Sequence, residues 1–212
     1  MALPIVRSIS RFPLPDSLDT LPSDLRERIL AVQEKAGFIP NVFLMLAHRP
    51  AEFRAFFAYH DALMEREADS LTQAEKEMIV VAVSADHGCL YCVVAHGAIL
   101  RILAKDAQLA DQIAVNYRTA PISERQRTML DFALHLAAGR GVLDDAWQAR
   151  LEAQGFSLDD IWDIGAIAGL FGLSNRLVSM ARTPPNDEFY LLGRVPRSPA
   201  RSARAPHYRM TW

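Results

Sequence analysis

Residues 72–103, TQAEKEMIVVAVSADHGCLYCVVAHGAILRIL, decide the fold. Thr72 followed three places on by Glu75 is a capping box: the hydroxyl accepts from an amide of the first turn and the carboxylate reaches back to the Thr72 amide. The helix it opens passes Glu77 and then runs apolar without interruption from Met78 to Val83. A helix apolar on every side belongs in the middle of a core, not on its surface. His87-Gly88 stops it, and a second apolar helix is expected over residues 89–103. Two adjacent buried helices require further helices around them.

The rest of the chain supplies them. Ser23 is a suitable N-cap for a helix over 24–36 with Gly37 ending it, and Asn41 for a short helix over 42–47. Pro50 suits the first turn of a helix ending near Glu65. Ser123 and Gln126 form a second capping box, followed by apolar Met129, Leu130, Phe132, Ala133, Leu136 and Ala137 at helical spacing. Helices are also expected over 144–154, closed by Gly155, and over 158–180, where Gly165, Gly169 and Gly172 mark either a weak helix or close packing. No segment alternates in the manner of a strand, so the expected class is all-α, a helical bundle whose two capping-box helices hint at two similar lobes.

Composition narrows the functional classes. The chain has 212 residues, half of them apolar and 23% charged, as in a folded globular protein. A net charge of −2 speaks against a protein that coats nucleic acid or binds an acidic membrane. The charged residues from Arg194 onward are all basic (Arg194, Arg197, Arg201, Arg204, Arg209), which sets a tail over 194–212 apart from a body over 1–193. That tail is expected to lie on an acidic surface or to fray. The opening MALPIVRSIS lacks the pattern of a secretory signal, and runs such as 78–83 are too short to span a bilayer, so the expected compartment is the cytoplasm.

In a reducing compartment the only two cysteines, Cys89 and Cys92, read as a redox pair before they read as a structural bridge. Three residues apart on a helix, they share a face, and a helix N-terminus at Cys89 favours a thiolate there. His96 lies one turn beyond Cys92 and is placed to accept a thiol proton. Glu77, costly to bury unpaired, is placed to orient that imidazole from the neighbouring helix. Tyr91 would either donate to a bound peroxide or pack; His87 stands close by in sequence. Cys89, Cys92 and His96, with His87 as a fourth ligand, would alternatively make a zinc site on a non-catalytic scaffold, and two inert core thiols are the plainest reading. His48-Arg49 and His60-Asp61 are expected to be solvated or capping. Trp147, Trp162, Phe56, Phe57 and Phe171 are expected in the core.

The run Glu77-x11-Cys89-x2-Cys92-x3-His96 resembles the core signature of the AhpD-like alkylhydroperoxidase and carboxymuconolactone decarboxylase family. Residues 37–43 (GFIPNVF), 47–50 (AHRP), 92–97 (CVVAHG), 114–118 (AVNYR) and 185–188 (PNDE) resemble its branch of uncharacterised peroxidase-related proteins, and the likeness spans about residues 5–193. The resemblance implies an all-α fold, symmetric homo-oligomers, no cofactor, a hydroperoxide substrate and a thiol reductant. It implies Cys92 as the peroxidatic thiol, Cys89 as the resolving one, and Glu77 with His96 as proton relay; helix position alone favours Cys89 as the more acidic. A disulfide oxidoreductase or redox sensor would use the same pair. The chain departs from the family where Tyr91 replaces a histidine between the cysteines and His87 an asparagine. Lactone decarboxylation is not expected, because decarboxylase relatives lack the cysteine pair.

Overall fold

The Thr72 hydroxyl accepts from the Glu75 amide at 3.2 Å, and Glu75 Oε2 accepts from the Thr72 amide at 2.9 Å. In the computed structural model, which describes residues 9–66, 70–139 and 142–194, this box opens one of ten α-helices. They are α1 (Ser23–Ala36), α2 (Asn41–Leu46), α3 (Pro50–Met64), α4 (Gln73–Asp86), α5 (Leu90–Ala104), α6 (Leu109–Asn116), α7 (Glu124–Ala137), α8 (Asp145–Glu152), α9 (Leu158–Ala181) and α10 (Glu188–Leu191). No strand occurs among the described residues. The all-α bundle expected from the sequence is what forms.

Helix α4 is buried continuously from Glu75 to Ser84 and packs against α5, α6, α7 and α9. Its capping-box Glu75 also accepts from Arg125 of α7, and that guanidinium lies 3.8 Å over the Phe156 ring. A third box, Ser157 with Asp160, opens α9. Gly165 lets α9 close on α7: a Cβ there would stand 3.2 Å from Leu136 Cδ1. Gly169 faces open space and has no such role. By length and composition α9 could cross a membrane, but it packs against α3, α4, α7 and α8 in the core.

Several local expectations are corrected. Ser23 and Asn41 are the first helical residues and not caps, because Pro22 and Pro40 hold the extended N-cap conformations before them. Asn41 instead pairs with the far end of the chain: its amide N–H donates to Asn186 Oδ1 at 2.8 Å and its side chain to Pro184 O at 2.9 Å. Asn186 completes the exchange by donating to Ile39 O at 2.9 Å. The segment before α10 is thereby fastened to the α1–α2 turn. Trp162 is not a core residue but 72% exposed, since it lies on the outer face of α9. Trp147 is half-buried against Phe132. Arg194 binds both oxygens of Asp111 at 2.7 Å, so the start of the basic tail rests on an acid of its own chain; the remaining tail arginines lie outside the described residues.

The core divides into two apolar clusters. One is built by α4, α6, α7 and most of α9. The other joins α1, α2 and α3 to the first half of α5, the end of α9 and α10, and it contains both cysteines.

Candidate active site

The turn from α4 to α5 is three residues long, and Gly88 makes it possible by taking φ +65. The Cys89 amide then donates to Ser84 O at 2.9 Å, which sets Cys89 as the residue capping α5, with Cys92 in the first turn. Both are free thiols and 2% exposed. On α5, one turn past Cys92, His96 meets Glu77 of α4: Nδ1 to Oε2 is 2.8 Å. A buried carboxylate only accepts, so Nδ1 carries the hydrogen and Nε2 is the nitrogen left for chemistry. The His96 ring stands edge-on to Phe171 at 4.7 Å.

The two thiols differ electrostatically. The Cys92 S–H donates to Cys89, and although burial opposes a charge there, the Cys92 amide, the Ser179 hydroxyl and the nearby His96 add to the effect; the Cys89 thiol is lowered to about 7. The Cys92 thiol is pushed well above its ordinary range, first by holding its proton toward Cys89 and then by burial, with the Ser174 and Ser84 hydroxyls working the other way. The first negative charge on the pair therefore resides on Cys89, as its place at the helix N-terminus requires.

They also face different spaces. Cys92 lines a cavity of about 50 Å³ together with His96, His60, Tyr91, Phe56, Phe57 and Phe171. Cys89 lines a groove of about 390 Å³ with Ser179, Arg182, Asp187 and Tyr190. Tyr91 borders both; its hydroxyl accepts from the Val42 amide at 3.3 Å, its ring packs edge-on to Phe189, and burial holds the phenol well above its ordinary range. His87 is not at the thiols. It binds Asn175 Nδ2 at 3.0 Å, and Asn175 Oδ1 accepts from Ser84 at 3.0 Å, which links His87 to the site. Among the described residues no group of three or more His, Cys, Asp or Glu is arranged to hold a metal ion.

His48 bonds the Met45 carbonyl at 2.7 Å and Arg49 pairs with Glu52, as a capping, solvated pair would. His60 is different. It is 6% exposed and belongs to the Cys92 cavity, because Phe53, Phe57, His60 and Met64 recur at helical spacing along the inner face of α3. Phe56, Phe57 and Phe171, read as core residues, are also the walls of that cavity. Ser84, Ser174 and Ser179 also stand at the thiols, with Asn175 behind Ser84, and a serine within an apolar helix carries no sequence signal that a thiol lies beside it.

Residues 50–120 match the carboxymuconolactone decarboxylase family. A crystal structure described as alkylhydroperoxidase AhpD core, an uncharacterized peroxidase-related protein from Ralstonia eutropha JMP134, is 58% identical, with a TM-score of 0.86, over 90% of this chain and 100% of that one. The chain belongs to the AhpD-like carboxymuconolactone decarboxylase family. An uncharacterized peroxidase-related protein from Silicibacter sp. TM1040 is 38% identical over 89% of this chain and 97% of that one, with a TM-score of 0.82. The debrominase Bmp8 with 2,3,4-tribromopyrrole, 19% identical over 87% of this chain and 95% of that one, shares the AhpD-like fold at a TM-score of 0.69. No curated protein sequence matches.

Proposed function

We propose that this AhpD-like protein is a cytoplasmic, thiol-dependent hydroperoxide reductase that needs no cofactor. One observation carries the reading: a buried thiol, Cys92, shares an aromatic cavity with an imidazole whose far nitrogen is held by a buried carboxylate. The hydroperoxide occupies that cavity. The Cys92 thiol turns from Cys89, gives its proton to His96 Nε2 and attacks the hydroxyl-bearing oxygen; the O–O bond breaks, the alkoxide leaves and becomes the alcohol with a proton drawn ultimately from solvent, and Glu77 stabilises the resulting imidazolium. The product on Cys92 is a sulfenic acid. Cys89, about half ionised near pH 7, then attacks the Cys92 sulfur as the thiolate; the hydroxyl leaves as water with the proton from His96, and a disulfide forms. A thiol reductant regenerates the pair by exchange at Cys89, entering through the groove beside Ser179 and Arg182.

The test is titration of free thiols before and after one equivalent of tert-butyl hydroperoxide. Loss of both, with recovery by dithiothreitol, is expected; two thiols still free would refute the reading. The groove beside Cys89 favours a second reading, a disulfide reductase, which predicts turnover of a model disulfide at a rate that peroxide does not enter. Leu158, Trp162, Leu173 and Met180 are exposed along one face of α9, at near multiples of the helical repeat. The proposed cover is a second copy of the chain, and light scattering at micromolar concentration should show a mass above one protomer.

A further inference from the structure

The cavity beside Cys92 holds two imidazoles, and the cycle above uses one. His60 enters it from α3, while His96 enters from α5. Both rings flank Phe171, with centroids 6.4 and 4.7 Å from it. His60 has its own carboxylate: Nδ1 lies 3.2 Å from Asp61 Oδ1. Asp61 is fixed in turn by Arg28 of α1, whose two terminal nitrogens meet its two oxygens at 2.7 and 2.8 Å. The Arg28 guanidinium is steadied by the Phe57 ring, 4.6 Å below it. Burial acts to raise the Asp61 carboxyl, but His60 and Arg28 outweigh it and hold it below the ordinary value, so it stays ionised.

A histidine kept only for packing has a poor case at this place. The side chains around it are Phe56, Phe57 and Phe171, and a phenylalanine would fill the same volume without burying a polar ring. With Nδ1–H donated to Asp61, Nε2 is the ring nitrogen left to the cavity. The cavity thus carries a carboxylate–imidazole pair on each of two walls, and hydroperoxide reduction has two proton transfers to distribute.

We propose that His60 is the general acid of the peroxide step, delivering a proton from Nε2 to the departing oxygen while His96 serves as the base. This rests on the thiol-peroxidase reading. The Cys92 sulfur bonds to the hydroxyl-bearing oxygen of the hydroperoxide, the O–O bond breaks, and its electron pair leaves on the alkoxide oxygen. The sulfur is oxidised from thiol to sulfenic acid and the hydroperoxide is reduced to an alcohol. His96 gains the Cys92 proton, His60 in its protonated form gives its own to the alkoxide, and solvent restores it. The Tyr91 hydroxyl is taken up by the Val42 amide; His60 supplies an imidazole from a different helix.

The leaving group provides the test. An alkoxide needs a proton as the O–O bond breaks, whereas the carboxylate released by a peracid does not. Single-turnover loss of thiols is followed in wild type, His60→Gln and His60→Phe with tert-butyl hydroperoxide and with peracetic acid; the phenylalanine variant keeps an aromatic ring in place. The expected result is a fall of about 10²-fold or more with tert-butyl hydroperoxide and near-wild-type rates with peracetic acid. Equal losses with both oxidants would show a structural role and overturn the proposal, as would unchanged rates with both. A wild-type protein inert to both oxidants would instead remove the peroxidase reading on which it stands.

Discussion

Raising the pH should stabilise the reduced protein through its two cysteines. In the folded state the first proton leaves the pair at about 7, with the charge on Cys89; in the unfolded chain each thiol titrates near about 8.5. Between these values the unfolded chain binds more protons than the folded one, so unfolding becomes harder as pH rises. Cys92 has the opposite sign. Its folded thiol is held above the unfolded value, so beyond about pH 8.5 the unfolded chain sheds a proton that the folded one keeps, and the gain is reversed. The dithiol contribution should therefore climb from about pH 7, peak near about 8.5, and decline. The gap between the two values, at about 1.4 kcal/mol per pH unit, makes the rise about 2 kcal/mol. The assay is urea unfolding under reducing conditions across that range, read as the difference between wild type and the Cys89→Ser/Cys92→Ser double variant. Subtraction removes every other titrating group. A difference that stays flat or falls between about pH 7 and 8.5 would refute a first proton that leaves the folded pair at about 7.

Three further outcomes are expected. Glu77→Gln keeps a hydrogen-bonding partner for His96 but not its charge; single-turnover oxidation of Cys92 should slow by about 10²-fold with helical circular dichroism unchanged, and a wild-type rate would dismiss the relay. Phe53→Ala empties a site 1% exposed between Phe43 and Phe57 and should cost about 3–5 kcal/mol of stability in urea unfolding. Asn186→Ala removes the bonds to the Asn41 amide and the Ile39 carbonyl; it should cost about 1–3 kcal/mol and expose the segment before α10 to limited proteolysis earlier than in wild type.

How much of this was legible depended on whether a residue's role is local. Thr72 with Glu75 and Ser123 with Gln126 cap helices by contacts three residues apart, and both are present as read. The box at Ser157 went unread because Asp160 serves in place of the usual glutamate or glutamine. The Glu77–His96 contact could be anticipated because two helices joined by a short turn pack antiparallel. His60 could not be judged from its neighbour Asp61, whose charge suggested solvent; the better guide was its spacing from Phe53, Phe57 and Met64, which puts it on the buried face of α3. Trp162 failed for the converse reason. A helix apolar all round does not declare which side faces out, and only packing against α4 and α7 turns Trp162 away from the core. The pairing of Asn41 with Asn186 spans 145 residues, and no local pattern announces it.

The placement of the thiols on two cavities sets an order on the chemistry. A cysteine that must be attacked by a second thiol cannot have both faces filled by its substrate, and one that meets peroxide is safest where bulk reductant cannot reach it. In the proposed cycle Cys92, among Phe56, Phe57 and Phe171 in the narrower cavity, is the thiol that meets peroxide, and Cys89 on the groove beside Arg182 is the one met by a second thiol. Before any peroxide arrives in that cycle, the S–H of Cys92, held toward Cys89, favours charge on the sulfur that is to resolve. The neighbouring Cys89, in the proposed cycle, closes the disulfide before Cys92 oxidises past the sulfenic state. On this arrangement Cys89→Ser should leave the first peroxide step largely intact but strand Cys92 as sulfenic acid. Mass spectrometry after excess peroxide should then find sulfinic acid on Cys92 in the variant and a disulfide in the wild type. Equal over-oxidation of both would mean that the neighbouring thiolate gives Cys92 no protection.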